Sequence, residues 1–153
     1  MPSSKKIRLI YDFYENDYGF EQETKINDFD YNKILASTKD IIYDKNRKLT
    51  IYSWGILRHT EPKCEISFDL TKFTTKTDIK DIKLVDGRDE EIQNSIIRHP
   101  LFTELLHKII EEIETNNSRE ISFFCNHGKH RSVGWTEIIK KYYPNSIIKH
   151  SIE

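Results

Sequence analysis

The sequence predicts a single sandwich-like α/β domain, with a largely parallel or mixed sheet flanked by helices. Short segments rich in β-branched and aromatic residues alternate with helical segments of ten or more residues, a pattern typical of βαβ units. The 153 residues can bury one hydrophobic core, and 37% hydrophobic with 32% charged residues is a globular composition. We therefore expect one packed α/β fold.

The order of elements follows from the pattern of apolar residues. Strands are predicted over residues 7–14, 48–54, 64–70, 120–125 and 146–149, and helices over residues 31–43, 90–98, 101–115 and 132–142. The Thr-, Lys- and Asp-rich residues 71–81 are predicted to form an exposed loop. A polar break before Leu49 divides the chain into an N-terminal strand–helix extension, residues 1–48, and a main domain, residues 49–153.

Charge and cysteine content exclude several classes of protein. The net charge of −1 and a pI near 6.6 give no global basic field for nucleic acid or a membrane surface. Cys64 and Cys125 are too few for a disulfide framework, and nothing resembles a paired zinc-ligand set, so we expect no metal and no cofactor. The first apolar run is too short and too polar for a signal peptide or membrane span. We expect a cytoplasmic protein with reduced thiols.

Residues 125–132, with the sequence CNHGKHRS, form the candidate binding site of the sequence. A predicted buried strand ends at Cys125 and a helix follows, so free backbone N–H groups and the positive end of the helix point at one small volume. Gly128 allows the positive φ that lets amides converge on an anion. Arg131 offers a planar fork for two phosphate oxygens. The site is predicted to bind a phosphorylated small molecule.

The other polar side chains of residues 125–132 can contribute further contacts. Lys129, His127 and His130 add donors, and Ser132 can either cap the helix or give its hydroxyl to the ligand.

A cysteine-dependent phosphatase is the alternative interpretation of the same residues. Cys125, five residues, Arg131 and Ser132 have the spacing of a phosphatase phosphate loop, in which a thiolate of lowered pKa attacks phosphorus. This chemistry also needs a general acid, for which Asp86 and Asp89 are candidates by analogy. One predicted helix and one strand follow the loop, which favours a binding module over this enzyme.

A resemblance to a known family covers a larger part of the chain. Its motifs are SWG at 53–55, SFDL at 67–70 with Phe73, DGRD at 86–89, RH at 98–99, ETNN at 114–117 and CNHGKHRSV at 125–133. From about Leu49 to Lys149 these motifs resemble, in order and approximate spacing, the C-terminal domain of the RapZ family of RNase adapter proteins.

The resemblance implies a fold, a ligand and partners. In that family the domain is α/β, self-associates, binds phosphate, sulfate or an amino-sugar phosphate at this loop, and helps present a small RNA to a ribonuclease. It therefore implies a homo-oligomer with RNA as a second partner class. Carried over by position, it places the following residues in the pocket: Cys125, Asn126, Gly128, His130, Arg131 and Ser132, with His59, Asp69 and Asn116 or Asn117 from neighbouring segments.

Three departures from the family pattern affect these expectations. The family's nucleotide-binding P-loop motif occurs nowhere in the sequence. Asn126 and His127 replace a hydroxyl residue and a second glycine, so ligand choice is expected to differ. Residues 149–153 lack the strongly basic character that the family uses for RNA, which weakens the expectation of RNA binding because phosphate contacts dominate RNA affinity.

Overall fold

The protein forms a five-stranded parallel sheet with helices between its strands. The computed structural model describes residues 5–9 and 43–152. In the order β1-β3-β4-β2-β5, every neighbouring pair of strands is parallel. The strands are β1 Lys5–Arg8, β2 Thr50–Gly55, β3 Ile66–Asp69, β4 Glu120–Cys125 and β5 Ile147–His150. The predicted α/β fold with a largely parallel sheet is confirmed.

The central strand β4 determines where the core lies. All its residues after Glu120 are buried, which is the continuous apolar pattern of a strand covered on both faces. Ile121 pairs with Ile51 on one side and with Ile66 on the other. All three side chains belong to one hydrophobic cluster, which therefore runs across the middle of the sheet.

Three helices are described: α1 Glu90–Ile97, α2 Phe102–Thr115 and α3 Arg131–Tyr142. The side chain of Asp89 accepts a hydrogen bond from the amide of Glu91 and so caps α1. The predicted apolar stripe of α2 is buried. Trp135 of α3 is fully buried and stacks on Phe102, with ring centroids 5.2 Å apart. Aromatic contacts thus join α2 to α3.

The sequence predictions match these elements within one or two residues, except at the N-terminus. The predicted helix over residues 31–43 and the strand beyond Leu9 lie outside the described residues, apart from Tyr43. Strand β1 pairs with β3 as an edge strand of the same sheet as the main domain. Residues 71–81 contain no helix or strand, as predicted for that loop, but the loop is not exposed throughout, because Phe73 is fully buried. Beyond them lies a single 3-10 turn, Ile82–Leu84.

Candidate functional site

The candidate site lies at the carboxyl ends of three adjacent strands. β2 ends at Gly55, β3 at Asp69 and β4 at Cys125. Because the strands are parallel and hydrogen-bonded in the order β3-β4-β2, the segments that follow them emerge at one edge of the sheet. This edge is where ligands bind in open α/β folds. Residues 55–59, 69–73 and 125–131 therefore lie together.

Two glycines lie back to back where the loop leaves the sheet. Gly128 has φ 70°, and a Cβ there would lie 2.4 Å from the amide nitrogen of Gly55. A Cβ on Gly55 would in turn lie 2.3 Å from the carbonyl carbon of His127. Neither position has room for a side chain, and the left-handed backbone at Gly128 also disfavours one. Gly128 thus has the positive φ that was expected from the sequence.

Carbonyl groups of the loop are bound by neighbouring segments. Ile56 and Leu57 donate their amides to the carbonyl oxygens of Cys125 (2.9 Å) and Asn126 (3.0 Å). The amide of Gly87 donates to the carbonyl of Lys129 at 2.8 Å. These bonds fix the peptide planes of the loop against the end of β2 on one side and against the turn at residue 87 on the other.

The N–H groups of the same loop have a different environment. None of the described residues accepts a hydrogen bond from the backbone N–H groups of residues 127–133. The first helical bond of α3 runs from the amide of Gly134 to the carbonyl of His130, at 2.8 Å. A run of unpaired donors therefore leads into the positive end of a helix dipole, an arrangement that suits an anion.

Arg131 is the first residue of α3, and its guanidinium is held by backbone. Nη1 donates to the carbonyl oxygens of Leu70 (3.0 Å), Thr71 (3.2 Å) and Phe73 (2.9 Å). Among the described residues, Nε and Nη2 of Arg131 have no acceptor. Nη1 thus binds the segment after β3, and Nε and Nη2 remain available to donate to an anion.

Lys129 and His130 were expected to donate to a ligand in the loop. Their side chains instead bind backbone carbonyls of residues 82–85. His130 Nε2 lies 2.8 Å from the carbonyl oxygens of both Ile82 and Val85. Since both partners are acceptors, Nε2 carries the hydrogen. Lys129 Nζ donates to the carbonyl of Lys83. The two side chains hold the 3-10 turn beside the loop.

Cys125 and Ser132 face each other below the loop. The thiol donates to Ser132 Oγ at 3.3 Å, and the two residues are 3% and 0% exposed. The N-cap of α3 is His130, so the capping alternative for Ser132 is wrong. Both side chains form the floor of the loop.

Four further predicted residues lie at or beside the carboxyl edge. His59 Nδ1 accepts from the amide of Gly55 at 2.8 Å. Asp69 Oδ1 accepts from the amide and the hydroxyl of Thr71, at 2.8 Å and 2.6 Å. Asn126 is partly exposed, and His127 is exposed with no side-chain partner among the described residues. His127 is therefore the loop side chain most open to a ligand or to solvent.

Asn116 is not brought to the loop. It follows α2, where its side-chain amide donates to the carbonyl of Glu112 at 2.7 Å, and Asn117 accepts from Arg47 at 2.8 Å. Both precede β4, whereas the loop follows it. The strand spans five steps, or about 16 Å at about 3.3 Å per step. Asn116 and Asn117 thus lie at the opposite edge of the sheet.

Asp86 is poorly suited to be a general acid. Its carboxylate accepts from Arg88 Nη2 at 2.7 Å, and this side-chain hydrogen bond is the largest cause that lowers the pKa of Asp86. A general acid needs a carboxyl that is protonated near the working pH. The neighbouring Gly87 instead packs on α3, where a Cβ would lie 2.1 Å from the amide of Gly134.

Sequence reasoning missed the backbone partners of the site. The carbonyls of residues 70, 71 and 73 and the glycines at 55 and 87 shape it, yet none of them carries a recognisable functional side chain. The pair Asp69 and Thr71 was the available signal, because Asp at the start of an Asx turn with Thr two residues later predicts a tight turn after β3.

Fold and site define an α/β domain with a strand–glycine loop–helix junction whose amides are unpaired among the described residues. The family model described as RapZ C-terminal domain matches residues 47–153. The chain therefore belongs to the RapZ C-terminal domain family, as the sequence motifs indicated. Comparison with curated proteins finds no match.

Family membership points to a regulatory or RNA-adaptor related role. As to membranes, none of the helices in the described ranges is long and apolar enough to cross one.

Proposed function

We propose that the loop of residues 125–132 binds the phosphate group of a small phosphorylated molecule, such as a sugar phosphate or a nucleotide-like compound. The observation that carries this proposal is the run of N–H groups at residues 127–133, at the start of α3, that find no acceptor in the described part of the chain. The ligand's occupancy of the loop would then regulate an interaction with a macromolecule, which is RNA or a protein partner in this family's adaptor role.

Charge supports a phosphate in this position. A phosphate monoester carries nearly two negative charges near neutral pH, and hydrogen bonds to such a charged acceptor are about twice as strong as neutral ones. The helix dipole adds about 0.5 positive charge at the same end of α3. Arg131 adds a full positive charge, with Nε and Nη2 unpaired among the described residues. A neutral ligand would gain none of these charge-dependent terms.

Homo-oligomerisation is part of the proposal because a change in the association of subunits could signal to a partner that the loop holds its ligand. The sheet has two edge strands, β1 and β5, and β5 carries Ile147 with 62% exposure. An edge strand with an exposed apolar side chain is a surface that can pair with another chain. Sedimentation with and without phosphate tests this part separately from binding.

The decisive experiment compares one loop variant with a matched control. Isothermal titration calorimetry measures the affinity of the 153-residue chain for inorganic phosphate, sugar phosphates and nucleotides. His127→Glu places a negative charge on an exposed side chain of the loop, and His107→Glu makes the same change in the middle of α2. We expect affinity to fall at least about tenfold, or about 1.4 kcal/mol, in His127→Glu and to stay unchanged in His107→Glu.

Thermal unfolding provides a second readout. A ligand present at about a hundred times its dissociation constant adds about 2.7 kcal/mol to the free energy of unfolding. Failure of every phosphorylated compound and of sulfate to raise the melting temperature of the wild-type chain would contradict the proposal. Equal losses of affinity in the two glutamate variants would place the binding site elsewhere.

Enzymatic turnover separates this proposal from the phosphatase alternative. Cys125 is 3% exposed and donates its thiol hydrogen to Ser132, an arrangement that fits a pocket floor. Hydrolysis of an aryl phosphate that disappears in Cys125→Ser would instead establish Cys125 as a nucleophile.

A further inference from the structure

Arg131 occupies a position that is electrostatically unfavourable for a cation. It is the first residue of α3, and the helix dipole places partial positive charge at that end. In the described part of the chain, the carbonyl oxygens of Leu70, Thr71 and Phe73 stabilise the positive charge of the guanidinium. They lie 2.9–3.2 Å from Nη1. These backbone groups form a seat for the guanidinium, which we call the carbonyl seat.

The carbonyl seat depends on a turn that directly follows β3. Asp69 Oδ1 accepts two hydrogen bonds from Thr71, one from the amide at 2.8 Å and one from the hydroxyl at 2.6 Å. The amide of Phe73 closes the turn on the carbonyl of Leu70 at 3.0 Å. The Asx turn made by Asp69 and Thr71 thus fixes the peptide planes whose oxygens hold Arg131.

The far end of the same turn is anchored in the core. Phe73 is fully buried, and its ring stacks on His99 with centroids 4.5 Å apart. It also meets Trp135 of α3 edge-on, with centroids 5.6 Å apart. The turn is therefore held by a carboxylate at one end and by a core aromatic at the other.

We infer that Asp69 and Thr71 are positioning residues for the phosphate site, which they serve by holding Arg131 rather than by contacting the ligand. This inference rests on the proposed function. An arginine side chain loses conformational freedom when it is fixed, and this loss opposes binding. The carbonyl seat fixes it before the ligand arrives. A direct contact from the Asp69 carboxylate would oppose binding, because like charges repel.

The test measures the affinity of the full chain for inorganic phosphate in paired variants at the turn. Thr71→Val removes the hydroxyl bond to Asp69 and keeps the shape, whereas Thr71→Ser keeps the hydroxyl. Thr77→Val is the control within the same segment, since Thr77 Oγ1 accepts a long 3.4 Å bond from the amide of Ile79 and is not part of the carbonyl seat. We expect about a tenfold loss of affinity in Thr71→Val. Thr71→Ser and Thr77→Val should bind like the wild type.

Variants of Asp69 separate its hydrogen bonds from its charge. Asp69→Asn keeps an acceptor oxygen for Thr71 and removes the charge, so we expect phosphate affinity to be kept or improved. Asp69→Ala removes the acceptor and should weaken binding as Thr71→Val does. Stronger binding in Asp69→Ala than in Asp69→Asn would overturn the positioning role.

A double-mutant comparison distinguishes positioning from plain stabilisation. Arg131→Lys lacks the fork that the carbonyl seat orients, so Thr71→Val should cause no further loss of affinity in that background. A purely structural role would lower the melting temperature in both backgrounds and leave wild-type affinity unchanged by Thr71→Val, which would refute the inference. A wild-type chain that binds no phosphate would overturn the proposed function, and this inference with it.

Discussion

His99 offers a direct test of the core packing next to Phe73 of the carbonyl seat. Its side chain lies at the junction of α1 and α2, is 5% exposed and stacks on Phe73. Nδ1 accepts a hydrogen bond from the amide of Leu101 at 3.1 Å, so this nitrogen carries no hydrogen. Burial lowers the pKa of His99 from 6.5 to about 4. His99→Asn keeps an acceptor for Leu101 and removes the titration.

The sign of the pH effect follows from which state binds the proton. Above pH 6.5 the imidazole is neutral in both the folded and the unfolded chain. As the pH falls from 6.5 to about 4, the unfolded chain binds a proton that the folded chain does not. Each pH unit in that interval costs about 1.4 kcal/mol of folding free energy, which sums to as much as about 3 kcal/mol. Below about pH 4 this loss levels off.

The assay is urea unfolding followed by tryptophan fluorescence, since Trp54 and Trp135 are both buried. The free energy of unfolding is measured for wild type and His99→Asn at several pH values. Subtracting one chain from the other cancels the titration of all other groups. The wild type should lose up to about 3 kcal/mol relative to the variant between pH 6.5 and about 4. A difference that does not change with pH would refute the reasoning.

Two further predictions concern stability and are measured by the same unfolding assay. Gly128→Ala should cost more than about 2 kcal/mol, because it combines a left-handed backbone with a Cβ 2.4 Å from the amide of Gly55. Gly134→Ala is its control and should change stability by less than about 1 kcal/mol. A Cβ there would come close, at 2.5 Å, to the terminal Cδ1 of the Ile96 side chain and would meet Ile92 and Gly87 at ordinary contact distances. Equal losses in the two variants would contradict this account of the loop. Glu114→Ala should cost roughly 3 kcal/mol, because it removes the carboxylate bound to Arg47 at 2.8 Å, a side chain that is 15% exposed, and to the hydroxyl of Tyr143 at 2.7 Å. A loss below about 1 kcal/mol would show that water and the remaining bond from Arg47 to Asn117 compensate for the missing carboxylate.

The elements that bury a regular apolar pattern could be predicted closely. Strand β4 begins and ends at the predicted residues, because a continuous apolar run with Glu120 before it leaves little choice of boundary. Helix α2 follows its apolar stripe in the same way. The positive φ at Gly128 was predictable as well, because a glycine between a buried strand and a helix usually occupies a turn position that other residues cannot adopt.

The partners of the site side chains could not be predicted, because they are backbone atoms of distant segments. The Arg131 guanidinium is held by carbonyls some 60 residues earlier in the chain, and His130 by carbonyls of the 3-10 turn. Carbonyl groups leave no mark in the sequence. The resemblance placed Asn116 at the loop, yet Asn116 precedes β4 and the loop follows it. Chain order around the predicted strand was therefore the signal that the two lie at opposite edges of the sheet.

The most direct measurement of the central claim is an NMR titration of the isotope-labelled chain with inorganic phosphate, followed by an amide correlation spectrum. Phosphate bound at the loop should shift the backbone N–H signals of residues 127–133 in a saturable manner, because these groups have no acceptor among the described residues and become charge-assisted donors. The signals of residues 116 and 117, at the opposite edge of the sheet, should stay in place. Saturable shifts elsewhere, with the loop amides unmoved, would contradict the phosphate site.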